Sequence, residues 1–241
     1  MAKTNTRNRT TKGTPAKTNN NAVKQKISGN VRLLFYGGSK KSGDNWAFSD
    51  GAKVVIRDYK KYYPTDTIIA KFVDSAKTIV DIINEQKDGK IASLDIFSHG
   101  TPRGLHLYKT ASTSHSFTGE DIKEKNLNAG LYAGYWTMWA GDDEHDEIQN
   151  ISNIDFDKFK TKDAIIELHG CKTGRDPDKV MDSITKNLSE ELPDGYIIAH
   201  PEPASPDKNH DYRHGTRVVW KDGEVIKTIT KSGLLKIEDI I

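Results

Sequence analysis

The sequence predicts an α/β protein of three layers, a mostly parallel sheet with helices on both faces and a C-terminal β-hairpin. Two observations predict it. Short runs rich in Val, Ile and Leu recur along the chain, and segments with helical spacing separate them. Strands that alternate with helices imply a mostly parallel sheet covered on both faces. Near the end, Lys221-Asp222-Gly223-Glu224 separates two strand-like runs and carries the Asp-Gly signal of a tight hairpin.

The chain divides at about residue 28. Residues 1–26 hold seven Lys or Arg and no Asp or Glu, with Asn and Thr between them and no apolar period. A segment of that kind cannot bury enough surface to offset its ordering entropy, so 1–28 is expected to be a disordered basic tail. Residues 29–241 form the expected domain, whose acidic excess offsets the tail to leave a net charge of +2.

Within the domain, Val31 to Tyr36 reads as a buried strand ending at Gly37-Gly38. Asp50 to Tyr63 places Val54, Val55, Tyr59 and Tyr62 at helical spacing and stops before Pro64. Thr67 to Val73 is a second strand, and Asp74-Ser75 caps a helix that runs toward Gln86. Ile91 to Phe97 is the third strand, breaking at Ser98-His99-Gly100-Thr101-Pro102. The stretch 103–162 is irregular, with a hairpin near Leu105–Tyr108 and a helix near Gly119–Lys125. Asp163 to Leu168 is the fourth strand, breaking at His169-Gly170-Cys171. An amphipathic helix over Asp176–Leu192 carries Val180, Ile184 and Leu188 on one face, and Gly195 to Ala199 is the fifth strand. Thr216–Trp220 and Val225–Ile229 make the terminal hairpin.

Two of these strands end almost alike, in Ser98-His99-Gly100 and His169-Gly170-Cys171. Functional groups of open α/β sheets gather at the carboxyl ends of strands. If the two strands are parallel neighbours, His99 and the chain's single cysteine emerge at one edge. A thiol with its ordinary pKa is mostly protonated at neutral pH, and a nearby imidazole supplies the thiolate. The N–H groups of Gly100 and Cys171 are candidate oxyanion donors. His169, two residues before Cys171, is the competing base, and a sharp turn at Gly170 would remove it.

His-Gly after one strand, Gly-Cys after the next and the turn Cys171-Lys172-Thr173-Gly174 resemble the caspase-like superfamily of cysteine peptidases, which includes caspases, gingipains and clostripain-like enzymes. The resemblance covers about Val31 to Ile229. It implies a caspase-like fold and a cysteine endopeptidase with Cys171 as nucleophile and His99 as base, acting through an acyl-enzyme on a protein or peptide substrate. The caspase Gln-Ala-Cys run is absent, as is the metacaspase Asp-x-Cys, so aspartate specificity is not carried over. The His99–Cys171 separation is 72 residues, longer than the ~50 of caspases. The competing expectation is a catalytically inactive interaction module, an effector or adaptor with a regulatory partner.

The remaining residues carry weaker signals. Asp142, Asp143 and Asp146 are candidates for a substrate-binding wall that selects Lys or Arg, with Glu202 and Asp207 as alternatives. Trp136 and Trp139 read as core or lid residues. His106 and His115 read as exposed loop residues. Gly37-Gly38-Ser39-Lys40-Lys41-Ser42-Gly43 is similar to a phosphate loop but lacks its Gly-Lys-Ser/Thr order, and no Gly-x-Ser-x-Gly elbow occurs. His210 and His214 stand four apart without the Glu of a zinc helix, so neither metal nor cofactor is expected. No run reaches the roughly 18 apolar residues of a membrane span, and no apolar leader opens the chain. A cytoplasmic protein, or one exported without a cleaved signal, is expected, with nucleic acid touched only weakly through the tail.

Overall fold

The computed structural model describes residues 29–109, 127–134, 147–175, 183–192 and 194–241. The tail 1–28, His115, the helix expected near 119–125, Trp136, Trp139, Asp142, Asp143, Asp146 and residues 176–182 lie outside the described residues. The helix expected over Asp176–Leu192 begins at Ile184, because Ser183 is extended and caps it by accepting from the Lys186 N–H.

Seven strands form the central sheet: β1 (Val31–Tyr36), β2 (Thr67–Phe72), β3 (Ile91–Phe97), β10 (Ile165–Leu168), β11 (Tyr196–Ala199), β12 (Arg217–Lys221) and β13 (Glu224–Ile229). Their spatial order is β13-β12-β11-β10-β3-β1-β2. The pairings from β2 through β11 are parallel, and β12 and β13 add antiparallel at one end. The predicted hairpin closes through Asp222 and Gly223, both at positive φ, as an Asp-Gly turn requires.

Helices cover both faces. Helix α1 (Ser42–Tyr62) sets Phe48, Ala52, Val55 and Tyr59 along one stripe, against Leu34, Phe97 and Tyr212. It begins eight residues before the predicted Asp50, because its first turn is polar and spends Asn45 on the preceding loop rather than on the core. On the other face α2 (Ala76–Asn84) and α3 (Ile184–Glu191) bury Ile79, Ile83, Ile184 and Leu188 against Leu33, Phe35, Ile96 and Ile166. Ser75 caps α2 by accepting from the Lys77 N–H, which satisfies one of the helix's orphan donors. A short helix, α4 (Ile237–Ile240), packs Ile240 with Leu235, Ile198 and Val219. No helix among the described residues is long and apolar enough to cross a membrane.

Past β3 the chain does not loop. It turns straight into a hairpin of β4 (His99–Thr101) and β5 (Gly104–His106), which continues through β8 (Leu131–Tyr132) and β9 (Gln149–Asn150) as a second small sheet. The predicted hairpin at Leu105–Tyr108 is therefore displaced toward the chain start. Strands of two or three residues carry no period-2 signal for a sequence to show. Two more short strands, β6 (Tyr108–Lys109) and β7 (Leu127–Asn128), pair with each other.

Candidate active site

Strands β3 and β10 are parallel neighbours in register, with Ile166 beside Leu94 and Leu168 beside Ile96. The His169 N–H donates to the Ile96 carbonyl at 2.9 Å and extends that ladder past β10. The two predicted strand ends thus meet at one edge. A Cβ built on Gly100 would stand 2.6 Å from the Thr173 methyl and 3.4 Å from the Cys171 carbonyl oxygen; one on Gly170 would stand 3.2 Å from the Ser98 oxygen. The His-Gly and Gly-Cys segments are in close backbone contact, and at Gly100 a side chain would collide with Thr173.

The turn 171–174 is strapped to the end of β11. Lys172 N–H donates to the Glu202 carbonyl and Gly174 N–H to the His200 carbonyl, at 3.1 and 2.9 Å. Lys172 occupies the left-handed region, φ 58°. Gly174 lies so close to β11 and β12 that a Cβ would stand 2.6 Å from Val218 and 2.9 Å from the Ala199 backbone. Close packing therefore accounts for the Cys-x-x-Gly spacing.

Cys171 is partly buried, and its Sγ donates to the Ala204 carbonyl at 3.4 Å rather than to an imidazole. His99 is partly exposed and stacks edge-on against Phe48, ring centroids 5.3 Å apart. Its Nε2 lies 2.9 Å from Asp44 Oδ2 and 3.2 Å from Ser39 Oγ, whereas its Nδ1 bonds to no described residue. The Tyr212 hydroxyl is held above its ordinary pKa, first by burial and then by the Asp44 carboxylate and the nearby Cys171. Tyr212 in turn contacts Phe48 and Phe97. Through Phe48 it is linked to the ring of His99.

For the oxyanion, the Cys171 N–H donates to no group among the described residues. Pro102 and Arg103 make a two-residue turn between Thr101 and Gly104. Such a turn is closed by a hydrogen-bonded pair, so alternation makes Gly100–Leu105 the non-bonded pair and turns the Gly100 N–H away from β5.

His169 is 1% exposed. Its Nε2 meets Asp95 Oδ1 at 3.0 Å, and its ring stacks on Phe97 at 3.9 Å. It sits one layer below the edge, inside a buried polar row. Tyr59 O–H donates to Asp95 at 2.6 Å, and burial followed by the Asp95 charge raises the Tyr59 pKa well above its usual value. Arg217 donates to Glu167 at 2.7 Å. Burial opposes ionisation of Glu167, but the Arg217, His169 and Arg213 charges hold its carboxyl below the usual range. Asp95, Glu167 and His169 each offer a ligand atom within 4.8 Å of the others. Arg217 already neutralises Glu167 there, and Tyr59 and His169 occupy Asp95, so the cluster reads as an ion-pair network rather than a metal seat.

A cleft of about 200 Å³ adjoins Cys171, lined by His200, Glu202, Ala204, Tyr212, His214 and Thr216 among others. His200 is 5% exposed with Nε2 unpartnered. Burial, then the His169 charge, lowers its pKa to about 4, so it is neutral at pH 7. Of the alternative pocket acids, Glu202 lines the cleft. Asp207 is committed to its own loop, accepting from the Asn209 and Asp211 N–H groups. His210 sits in a turn at positive φ and His214 bonds the Ser205 carbonyl; the chain between them is not helical. His106, expected to be exposed, is half-buried opposite His99 on β5, and burial followed by the His99 charge lowers its pKa.

Sequence reasoning missed Ser39, in the β1–α1 loop read as similar to a phosphate loop, and Asp44, in the first turn of α1 just after it. In the structure the Ser39 N–H is taken by Asn45 Oδ1 and the Ser39 hydroxyl turns toward Asp44 and His99, so the loop presents its polar groups to a histidine. Compared with protein-family models and with curated proteins, the chain matches none, and the chemistry of this edge rests on its own residues.

Proposed function

We propose that the chain is a cysteine endopeptidase of caspase-like architecture, working through Cys171 and His99. The observation that supports this most is the backbone contact between the His99-Gly100 and Gly170-Cys171 segments at the carboxyl ends of adjacent parallel strands. A peptide or protein substrate would lie along the 200–216 cleft, its scissile carbonyl over Cys171. The thiol proton passes to His99 Nδ1, sulfur bonds the carbonyl carbon, and the N–H groups of Gly100 and Cys171 hold the oxyanion. The C–N bond then breaks, and the departing amine takes the proton from His99. Water gives a proton to His99 and attacks the thioester; the acid product leaves and the thiol is restored. Neither metal nor cofactor enters these steps.

The thiol–Ala204 hydrogen bond favours a second reading, a non-catalytic module that binds partners through the same cleft. Catalytic hydrogen bonds commonly tighten only on substrate binding, so reactivity separates the two. The test is intact mass after brief treatment with an irreversible thiol probe at pH 7, for wild type, Cys171→Ala and His99→Ala. Fast labelling at Cys171 that slows roughly tenfold or more in His99→Ala is the expected result, since a positioned base contributes about 100-fold or more. Slow labelling indifferent to His99 would sink the dyad and leave the binding module.

A further inference from the structure

We infer that Asp44, seconded by Ser39, is the positioning group that sets the tautomer and the aim of His99; the inference rests on the Cys171–His99 reading. The hydrogen-bond roles resolve one way. A carboxylate only accepts, so His99 Nε2, 2.9 Å from Asp44 Oδ2, carries the ring proton. The Ser39 hydroxyl donates to the same carboxylate oxygen at 3.1 Å and accepts from the Lys41 N–H at 3.1 Å. Its oxygen also lies 3.2 Å from Nε2, where it shares the imidazole proton with Asp44. With Nε2 protonated, the neutral ring presents its lone pair at Nδ1, the nitrogen that bonds to no described residue and the one required to accept a thiol proton.

The holder is rigid where it must be. Ser39 and Asn45 are buried, and they lock each other through Ser39 N–H to Asn45 Oδ1 at 2.9 Å and Asn45 Nδ2 to the Ser39 carbonyl at 3.0 Å. That pair of hydrogen bonds fastens the loop to the first turn of α1, from which Asp44 reaches the ring. Phe48, one turn further along α1, presses edge-on against the imidazole.

Two alternatives are weaker. Ser39 cannot be a serine nucleophile, because a triad places nucleophile and acid on opposite ring nitrogens and here both lie on Nε2. A purely stabilising ion pair fits poorly too, since the side chains of His99 and Asp44 are 45% and 37% exposed and exposed pairs contribute little.

The experiment uses the full chain with Asp44→Asn and Ser39→Ala, beside wild type and His99→Ala. Nitrogen NMR of the imidazole reads the tautomer directly, and thiol-probe labelling at pH 7 reads reactivity. The expected result is a His99 ring protonated at Nε2 in wild type and a mixture of tautomers in Asp44→Asn. Labelling in that variant is expected to slow by roughly ten- to a hundredfold, less for Ser39→Ala, in line with the loss of a base-orienting carboxylate, while the melting temperature stays unchanged. An unchanged tautomer and labelling rate in Asp44→Asn, with labelling still dependent on His99, would overturn this inference alone. Labelling indifferent to His99 would overturn the dyad and this role with it. A lowered melting temperature with an unchanged tautomer would make Asp44 structural.

Discussion

The glycines of the two strand ends show how little space this edge allows. At Gly100 the obstacle is one methyl group, Thr173 Cγ2, 2.6 Å from where a Cβ would stand. Thr173 is held there because its hydroxyl donates to the Gly170 carbonyl at 3.0 Å. Gly100→Ala should therefore destabilise the fold by about 1–3 kcal/mol, the usual cost of an added methyl in a packed site. Thr173→Ser removes the methyl and keeps the hydroxyl, so the double variant should regain most of the loss in a urea melt. If Gly100→Ala alone melts like wild type, or if the serine restores nothing, the contact does not set the spacing of the two segments. The same scale explains what was readable in advance. His99 and Cys171 could be picked out because each follows an apolar run and sits beside a glycine. Asp44 could not, because its partnership with His99 spans 55 residues and depends on where the first turn of α1 meets the end of β3.

Elements were legible in proportion to their apolar continuity. β1 and β3 have the bounds their sequences suggest, since Val31–Tyr36 and Ile91–Phe97 are mostly apolar runs that end at glycine or polar breakers. The fourth strand begins at Ile165 rather than Asp163, which stands at φ 61° in a turn. α4 has a single turn and leaves no periodic trace. What no pattern reveals is the pairing across strands. Glu167 lies beside Asp95 in register, two acids side by side in the interior, and the sheet tolerates them because Arg217 arrives from β12. Arg217 is fully buried and also donates to the Lys231 and Gly233 carbonyls. It thereby ties β10, β12 and the segment before α4 into one unit. Arg217→Met should cost about 3–5 kcal/mol, since it strands a buried carboxylate. Adding Glu167→Gln should return part of that loss. Equal melting of single and double variants would show that the carbonyl contacts, not the ion pair, carry the effect.

Across the whole molecule, the buried imidazoles set how stability responds to acid. His200 has a folded pKa of about 4 against an ordinary 6.5, so the unfolded chain binds the proton first. Stability is unaffected above the unfolded pKa and falls as pH drops from about 6.5 to about 4, by on the order of 3 kcal/mol. His106 is shifted in the same direction and adds to that slope. Glu167 and Asp211 have depressed pKa values, and their contributions persist through this window and are lost at lower pH. His200→Gln, which never charges, should flatten the decline in urea midpoint between pH 7 and pH 5 without changing its sign. Parallel curves for wild type and variant would mean that His200 is protonated without penalty in the folded state.

One consequence follows from the way the turn after Cys171 is strapped to residues 200 and 202. The sulfur and the wall of the neighbouring cleft form a single mechanical piece, and the atom that now accepts the thiol hydrogen, the Ala204 carbonyl, belongs to that wall. Anything that fills the cleft must press on the 200–205 strand end or compete for that carbonyl, and either action is felt at the sulfur. If the cleft takes a peptide as proposed, the alkylation rate of Cys171 should shift on its binding and so rank candidate peptides.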